Sequence, residues 1–482
     1  MGSFSILSIV GKPYELSFLE AISNSSYLKI EALLSYGDSD FTRKLSGASV
    51  YSFFGGNCSI FEGDHSNENK AELYDFLSPY QQIFSDQIER LIYQPISSEK
   101  KKILFHRIVD EIFRVYKKHD FSAVIYFHTP HIGFDFISML IAKFLNIPCI
   151  IFNPTNLSKL SRVTSYIDLN NEGLNYEYDL CFENALDSEF SESYNEVRNR
   201  IDISFRKKNL FAIVKTELSF FRFQVSLFTR FQIYIRQTIF WYNKPKLGLE
   251  LIHWYRKRLA ELNRTIKFYE NNSVKSIGSS EEYVLFASHY QPERTTNPEG
   301  GSFYDAIKAL LYLRSFVPEN ITIYFKEHPE QFNRKNLRSI RLRSAEYYQR
   351  LLAIPNVKLL SISLESEKII EGALCVSTIT GTVGVESLRN GVPVITFGDA
   401  YYNSCKSVLH VSKFSTTTFI DLIGCHSREN VLKNFNEYLD NVKNRFIPLS
   451  FFESYYKTRK LTNKDKAIFI DTLLKILRKS DG

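Results

Sequence analysis

Phe325–Phe332, FKEHPEQF, and Ser377–Gly398, STITGTVGVESLRNGVPVITFG, decide how this chain reads. The run ITIYFKEHP is β-branched and aromatic and ends in Lys326, Glu327, His328 and Pro329, so a cation and an imidazole stand where a strand gives way to a loop. Ala373–Ile379 makes a second buried strand. Thr380, Gly381, Thr382 and Gly384 then turn the chain into a short helix, Val385–Arg389, which Gly391 and Pro393 end. A turn of small residues feeding a helix start leaves main-chain N–H groups unpaired at the positive end of the helix dipole, where a phosphate can be held without a metal.

Working outward, strands are expected at Tyr283–Ser288, Ile321–Phe325, Val357–Leu360, Leu374–Thr378 and Val394–Phe397, with helices at Phe303–Phe316, Ser344–Leu352 and Glu365–Glu371 between them. Regular alternation of this kind implies a parallel, doubly wound sheet whose strand ends share one edge. His289–Thr296, Lys326–His328, Ser361, Ser377–Gly384 and Gly398–Asp399 therefore converge on one crevice. Alone, His328 reads as a structural histidine and Glu386 as a helix-surface carboxylate. Five polar strand ends on one edge point to a phosphate-containing ligand.

The first half also opens as α/β, with a strand at Phe4–Val10 and a helix at Leu16–Ile22; two further helices are expected at Leu77–Ile92 and Lys100–Lys118. Its clearest unit is Ala123–Phe152, where AVIYFH, FISMLIAKFLN and IPCIIFN make a βαβ crossover. The loop after its first strand carries His128, Thr129, Pro130, His131 and Asp135. That loop is a site candidate by position, and His131 and Asp135 read equally well as caps of the following helix. Asp38–Asp40, DSD, resembles a divalent-ion triplet but follows Tyr36-Gly37 with no strong strand ahead, so it reads as a solvated turn, and no metal site is expected.

With 482 residues, 44% of them apolar, the chain is long enough for two or three domains with substantial cores. Six scattered cysteines without a CxxC pair suggest a reduced, cytoplasmic protein with no cysteine metal site. The first residues read as a strand rather than a signal peptide, and no apolar run reaches the ~18 residues that suggest a membrane span. The charge is uneven. Arg206–Lys267 holds fourteen Lys or Arg against three Glu, a local net of +11 in a chain whose total is +7. This stretch is also rich in Phe, Tyr and Trp, and two readings stay open for it: a helical hairpin packed on the domains, or a surface that lies on anionic membrane. No nucleic-acid module is present.

HYQPERTTNPEGG, KEHP and TGTVGVESLRNGVPVITFGDAYY together resemble the bacterial capsule polysaccharide biosynthesis family, which includes GT-B-type Kdo transferases and is distantly similar to sialyltransferases with an HP motif. The resemblance covers about 120 residues of the second domain, with TPHIGFD as a weaker echo in the first. The family's HP dipeptide falls on His328-Pro329, its Ser/Thr-Gly-Thr turn on Thr380–Thr382 and its helix glutamate on Glu386. It implies an α/β, GT-B-like fold of two facing Rossmann-like domains with parallel sheets, plus a basic helical insertion between them. The expected boundaries are 1–200 for the acceptor side, 201–275 for the insertion, 276–445 for the nucleotide-sugar domain and 446–482 for a helical tail.

The activity implied is glycosyl transfer from a nucleotide-sugar, commonly a CMP-sugar, to a glycan or lipid-linked acceptor, with no cofactor beyond the donor substrate. Lys326, His328, Pro329, Thr380, Gly381, Thr382 and Gly384 are then donor-phosphate residues. Glu386 would meet the ribose, and Gln291 and Glu293 the base or sugar. Asp135 or His131 would be the base, or Asp135 a nucleophile. A CDP-glycerol-type glycerophosphotransferase, a nucleotide-sugar 2-epimerase and a non-catalytic scaffold of polysaccharide assembly are the competing readings. The expected location is cytoplasmic, with peripheral attachment at the inner face of the cytoplasmic membrane.

Overall fold

The structure is a computed structural model that describes residues 3–12, 14–36, 47–53, 70–91, 96–157, 160–180, 249–291, 293, 295–333, 342–424, 427–451, 456 and 460–480. Asp38–Asp40 and most of the basic stretch, 206–248, lie outside them. The chain divides into two compact units. The first holds the described residues of Met1–Tyr166, Glu177–Pro245 and Lys443–Gly482, the second those of Ile167–Tyr176 and Lys246–Val442.

In the first unit β1 (Phe4–Val10), apolar except at Ser5 and Ser8, is followed by α1 (Glu15–Ser23), β2 (Leu28–Tyr36) and β3 (Ser49–Phe53). Helices α2 (Lys70–Leu77), α3 (Gln81–Leu91) and α4 (Ser98–Lys118) lead to β4 (Ala123–Tyr126), α5 (Phe134–Phe144), β5 (Cys149–Pro154) and β6 (Ser161–Thr164). The helix expected from Leu77 begins instead at Gln81, because Pro79 opens a separate 3-10 turn over Ser78–Tyr80. Among the described residues the strands form one sheet in the order β3-β2-β1-β4-β5-β6, parallel except for β6 against β5.

The end of the chain completes this core. Phe451 stacks on Phe18 and Phe469, on the C-terminal helix Asn463–Ser480, meets it edge-on, each with centroids 4.9 Å away, and Phe451 lies 4.6 Å from Phe152. A tail of its own at 446–482 is thus corrected: Phe451, Phe469, Leu473 and Leu477 are buried in the first unit's core.

The second unit starts with α6 (Leu249–Asn271) and the edge strand β7 (Ser273–Val274), then β8 (Tyr283–Ala287), α7 (Ala306–Arg314), β9 (Thr322–Lys326), α8 (Ala345–Leu352) and β10 (Val357–Leu360). It continues through α9 (Ser366–Glu371), β11 (Cys375–Thr378), α10 (Val383–Arg389), β12 (Val394–Thr396) and β13 (Val408–His410). The expected break at 275 is corrected, because α6 belongs to this core: Leu262 and Tyr269 are buried in it, and the Tyr269 hydroxyl donates to Leu360 O at 2.7 Å. Ile167–Tyr176 joins the same unit through buried Asn171, whose Oδ1 accepts from Ser302 N at 2.7 Å and whose Nδ2 donates to Gly300 O at 3.2 Å.

This sheet is parallel throughout, in the order β13-β12-β11-β8-β9-β10-β7. From β8 the chain builds outward to β9 and β10, then returns to lay β11, β12 and β13 on the other side. The reversal falls between β8 and β11, the place where open α/β sheets bind ligands. Both units are Rossmann-like, and two such units in one chain make the GT-B-like fold. None of the described helices is long and apolar enough to cross a membrane.

Candidate functional site

At the second unit's reversal point the segment after β8 meets the turn after β11 through a buried imidazole. His289 Nε2 accepts from Thr380 N at 3.1 Å and lies 3.2 Å from Thr378 Oγ1, while Nδ1 is 3.6 Å from Glu293 Oε2. With Nε2 accepting, Nδ1 carries the proton and faces the carboxylate. Burial pushes the Glu293 carboxyl up, but hydrogen bonds from His289 and Thr295 and the neighbouring imidazoles of His289 and His328 outweigh it and hold the group below the usual carboxylate range. The ring of His328 lies 6.4 Å from that of Tyr290, centre to centre, on the same segment as Glu293.

His328 is exposed, and its Nδ1 accepts from Glu330 N at 3.2 Å as the chain turns into the short 3-10 helix Pro329–Phe332. The proton of the neutral ring is then on Nε2, which makes the outer edge of the imidazole a hydrogen-bond donor. Pro329 is exposed beside it. Behind it Glu327 is buried, its Oε2 taking Arg343 Nε at 3.2 Å and the Tyr348 hydroxyl at 2.8 Å.

Several expected donor residues are turned elsewhere. Lys326 is on the right edge, but its ammonium donates to Ser361 O at 3.2 Å and Leu364 O at 2.8 Å, tying down the loop after β10. Burial pushes that ammonium down to about 8, against the pull of Glu270. Gln291 faces inward, its Nε2 donating to Thr296 Oγ1 at 2.6 Å. Thr380 uses its N–H on His289 and its hydroxyl on Thr295 O, and Gly381 N donates to Thr378 Oγ1 at 3.3 Å.

Gly384 is buried under Tyr402, whose ring a Cβ would meet at 2.5 Å, so this glycine serves packing. A Cβ at Gly381 would lie 2.6 Å from Thr378 Oγ1 and 3.2 Å from His289 Nε2, so that glycine lets the turn close over the histidine. Thr382 is exposed, and the N–H groups of Thr382 and Val383 have no hydrogen-bond partner among the described residues. Glu386 is half-buried in the first turn of α10. Of the groups expected to face an anion on this edge, the described residues leave fewer outward donors: the His328 Nε2–H and the N–H groups of Thr382 and Val383.

In the first unit the order reverses between β1 and β4. Asp135, fully buried inside the first turn of α5, accepts from His131 N at 2.9 Å, Ile132 N at 2.8 Å and Phe136 N at 2.7 Å, so it braces the preceding loop; the N-cap position is Gly133, and the helix start has no side-chain cap bond. Gly133 at φ +88° makes the turn, where a Cβ would meet Ile88 Cδ1 at 2.7 Å. His131 Nδ1 donates to Thr129 O at 2.7 Å, which leaves the lone pair of the neutral ring on Nε2. His128, His131 and Asp135 each bring one potential metal-ligand atom within 4.8 Å of the others. At the start of α1, which follows the neighbouring strand, Glu15 is buried; its Oε2 accepts from Gly11 N at 2.7 Å and Lys12 N at 2.9 Å, and its Oε1 has no hydrogen-bond partner among the described residues. Burial drives this carboxyl up to about 7, although the Gly11 and Lys12 amides, the Lys12 charge and Tyr14 oppose it.

Residues 166–405 match the capsule polysaccharide biosynthesis protein family. That segment, just under half of the chain, belongs to the capsule polysaccharide biosynthesis family. The family segment contains every residue of the second unit's site, from His289 to Glu386, and leaves out Glu15, His131 and Asp135.

No curated protein matches the chain. Among solved structures it is similar to the KpsC beta Kdo 2,7 transferase of Thermosulfurimonas dismutans, at 15% identity over 38% of this chain and 55% of that one, with a TM-score of 0.23. The chain thus spans little more than half the length of that neighbour. The KpsC beta Kdo 2,4 transferase of the same organism matches at 12% identity over 64% of this chain and 79% of that one, with a TM-score of 0.29. A UDP-GlcNAc 2-epimerase from Methanocaldococcus jannaschii matches at 13% identity over 98% and 100% of the two chains, with a TM-score of 0.22. TM-scores this low leave the functional reading of this chain to its own residues. Of these, Arg343 was missed, and His289 and Glu327 were placed on the crevice without a role. The last two stand in HYQPERTT and KEHP, but only the fold shows what their side chains join.

Proposed function

We propose that this chain is a GT-B-type glycosyltransferase of surface-polysaccharide synthesis, moving a sugar from a pyrimidine-nucleotide donor, a CMP-sugar in the leading reading, to a glycan or lipid-linked acceptor. The observation that carries this reading is that HYQPERTT meets both other segments at the second unit's reversal point: His289 takes the Thr380 amide of the TGT turn, and Tyr290 lies beside His328 of KEHP with ring centres 6.4 Å apart. Glycosyl transfer expels a nucleotide phosphate as positive charge grows on the anomeric carbon, so the enzyme must meet charge on the leaving group. The His328 Nε2–H and the amides of Thr382 and Val383 suit that task. The acceptor hydroxyl must lose its proton, and the His131 Nε2 lone pair suits it. Glu386 is the partner of the ribose hydroxyls in this reading, and Glu293 of the sugar or base.

The leaving-group charge is met by protein donors in this scheme, with no metal cofactor. Transfer that survives EDTA supports that, and transfer lost with EDTA and restored by a divalent ion points to His128, His131 and Asp135 as its ligands. The +11 stretch Arg206–Lys267 is proposed to hold the enzyme on anionic membrane, since its basic and aromatic residues match an anionic headgroup layer. Binding to vesicles containing phosphatidylserine should fall with salt and with Arg222, Arg230 and Arg236 replaced by Gln.

The test of function is product analysis with CMP-sugars, CDP-glycerol and UDP-GlcNAc. Release of CMP with sugar on the acceptor supports the proposal. Glycerol phosphate on the acceptor, or epimerisation without an acceptor, replaces it with a rival reading.

A further inference from the structure

His328 is exposed, yet its main chain is held from behind through groups on three separate elements and on the turn before one of them. Its N–H donates to Oε1 of the preceding Glu327 at 2.9 Å. The same carboxylate binds Arg343 and Tyr348 through Oε2, and Glu327 N donates to the Tyr269 hydroxyl at 3.0 Å, which itself donates to Leu360 O. Arg343 precedes α8, Tyr348 lies on α8, Tyr269 on α6 and Leu360 on β10. The side chain of Glu327 is 0% exposed and that of Arg343 6%, and the guanidinium lies 4.2 Å from the centre of the Tyr347 ring.

An ion pair this deep is a poor source of stability, because desolvating both charges offsets their attraction, and apolar side chains of similar volume often do as well or better. What the pair does supply is direction. A charged acceptor under the His328 N–H fixes the main chain just before Pro329, which sets where Glu330 N meets Nδ1 and so which ring nitrogen carries the outward proton. We propose that Glu327, braced by Arg343, is the positioning residue of His328 and holds the imidazole with its Nε2–H toward an anionic ligand. This deepens the donor-phosphate reading given above and rests on it for the identity of the ligand.

Replacing one partner would strand the other in the core, so the informative variant changes Glu327→Leu, Arg343→Met and Tyr348→Phe together, removing carboxylate, guanidinium and phenol at once. Two measurements are made on it. The first is the ring-nitrogen NMR signature of His328 in 15N-histidine-labelled protein without nucleotide, with His328→Ala identifying the signal. The wild type should show one tautomer, with Nε2 protonated, and the variant a mixture.

The second is CMP affinity. It should fall about tenfold in the triple variant and change little when the same three substitutions are made on a His328→Ala background. If the triple variant fails to fold, Glu327→Gln is read by the same two measurements, since one amide oxygen cannot serve both His328 N–H and Arg343. A folded variant that keeps the single tautomer and wild-type affinity overturns the proposal, as does a loss that adds in full to that of His328→Ala. A wild type that binds no nucleotide defeats the donor reading instead, and the tautomer measurement then decides the positioning role alone.

Discussion

Asp135 and His131 respond to substitution in different ways if one braces the loop and the other is a base. Asp135→Asn must turn an amide N–H2 toward a main-chain donor, which costs about 1–3 kcal/mol of stability because one N–H loses its acceptor in a buried site. Turnover per folded molecule should hold. His131→Ala should lower turnover by ~100-fold or more with CMP affinity unchanged. Urea melts and transfer rates on both variants check this, and the reverse pattern would return the base role to Asp135.

Glu15 makes a separate forecast. Its folded-state pKa of about 7 lies above the ordinary carboxyl value of 4.5, so the unfolded chain loses the proton first as pH rises. The folded state is therefore favoured least above pH 7, having lost about 3 kcal/mol across that window. Glu15→Gln removes the titration. Its stability relative to wild type should rise between pH 4.5 and 7 and level off above that, as followed by urea melts; a gap that does not change with pH would show that Glu15 ionises freely.

At the scale of elements, the strands that build the reversal point were legible because they are buried on both faces and so read as unbroken apolar runs, such as YVLFA and the run before Lys326. β2 was not, since Lys29 and Glu31 interrupt its first half while Ala32, Leu33 and Leu34 are buried. β7 and β13, two and three residues long, are too short to show a pattern. The edge positions of Lys326, Gln291 and Thr380 were also legible, but their directions were not. Spacing places a residue at a strand end, whereas the carbonyls of Ser361 and Leu364, or the hydroxyl of Thr296, decide where the side chain turns.

The C-terminal helix carries its own test. Phe469→Ala empties a ring fully buried beside Phe18, Phe152 and Phe451 and should cost about 3–5 kcal/mol in a urea melt of the first unit. A loss well under 1 kcal/mol would mean that this helix is a loose tail after all.

For the molecule as a whole, the two units are interleaved in sequence: Ile167–Tyr176 is part of the second and Lys443–Gly482 returns to the first. Linear boundaries at 200, 275 and 445 missed both exchanges, because composition marks where a linker is polar but not which core a returning segment completes. The two-unit α/β architecture and the capsule family were legible, the first from alternation and the second from HYQPERTT, KEHP and TGTVGVES. The central claim is that the second unit holds a pyrimidine nucleotide with its phosphate on His328. Calorimetric titration of the wild type and His328→Ala with CMP, CDP, UDP and GDP tests it most directly. The account expects a pyrimidine nucleotide to bind the wild type and to bind His328→Ala roughly 10- to 150-fold more weakly, the loss of one hydrogen bond to a charged group. Preference for GDP, or equal affinity of the two proteins for the pyrimidine nucleotides, would contradict it.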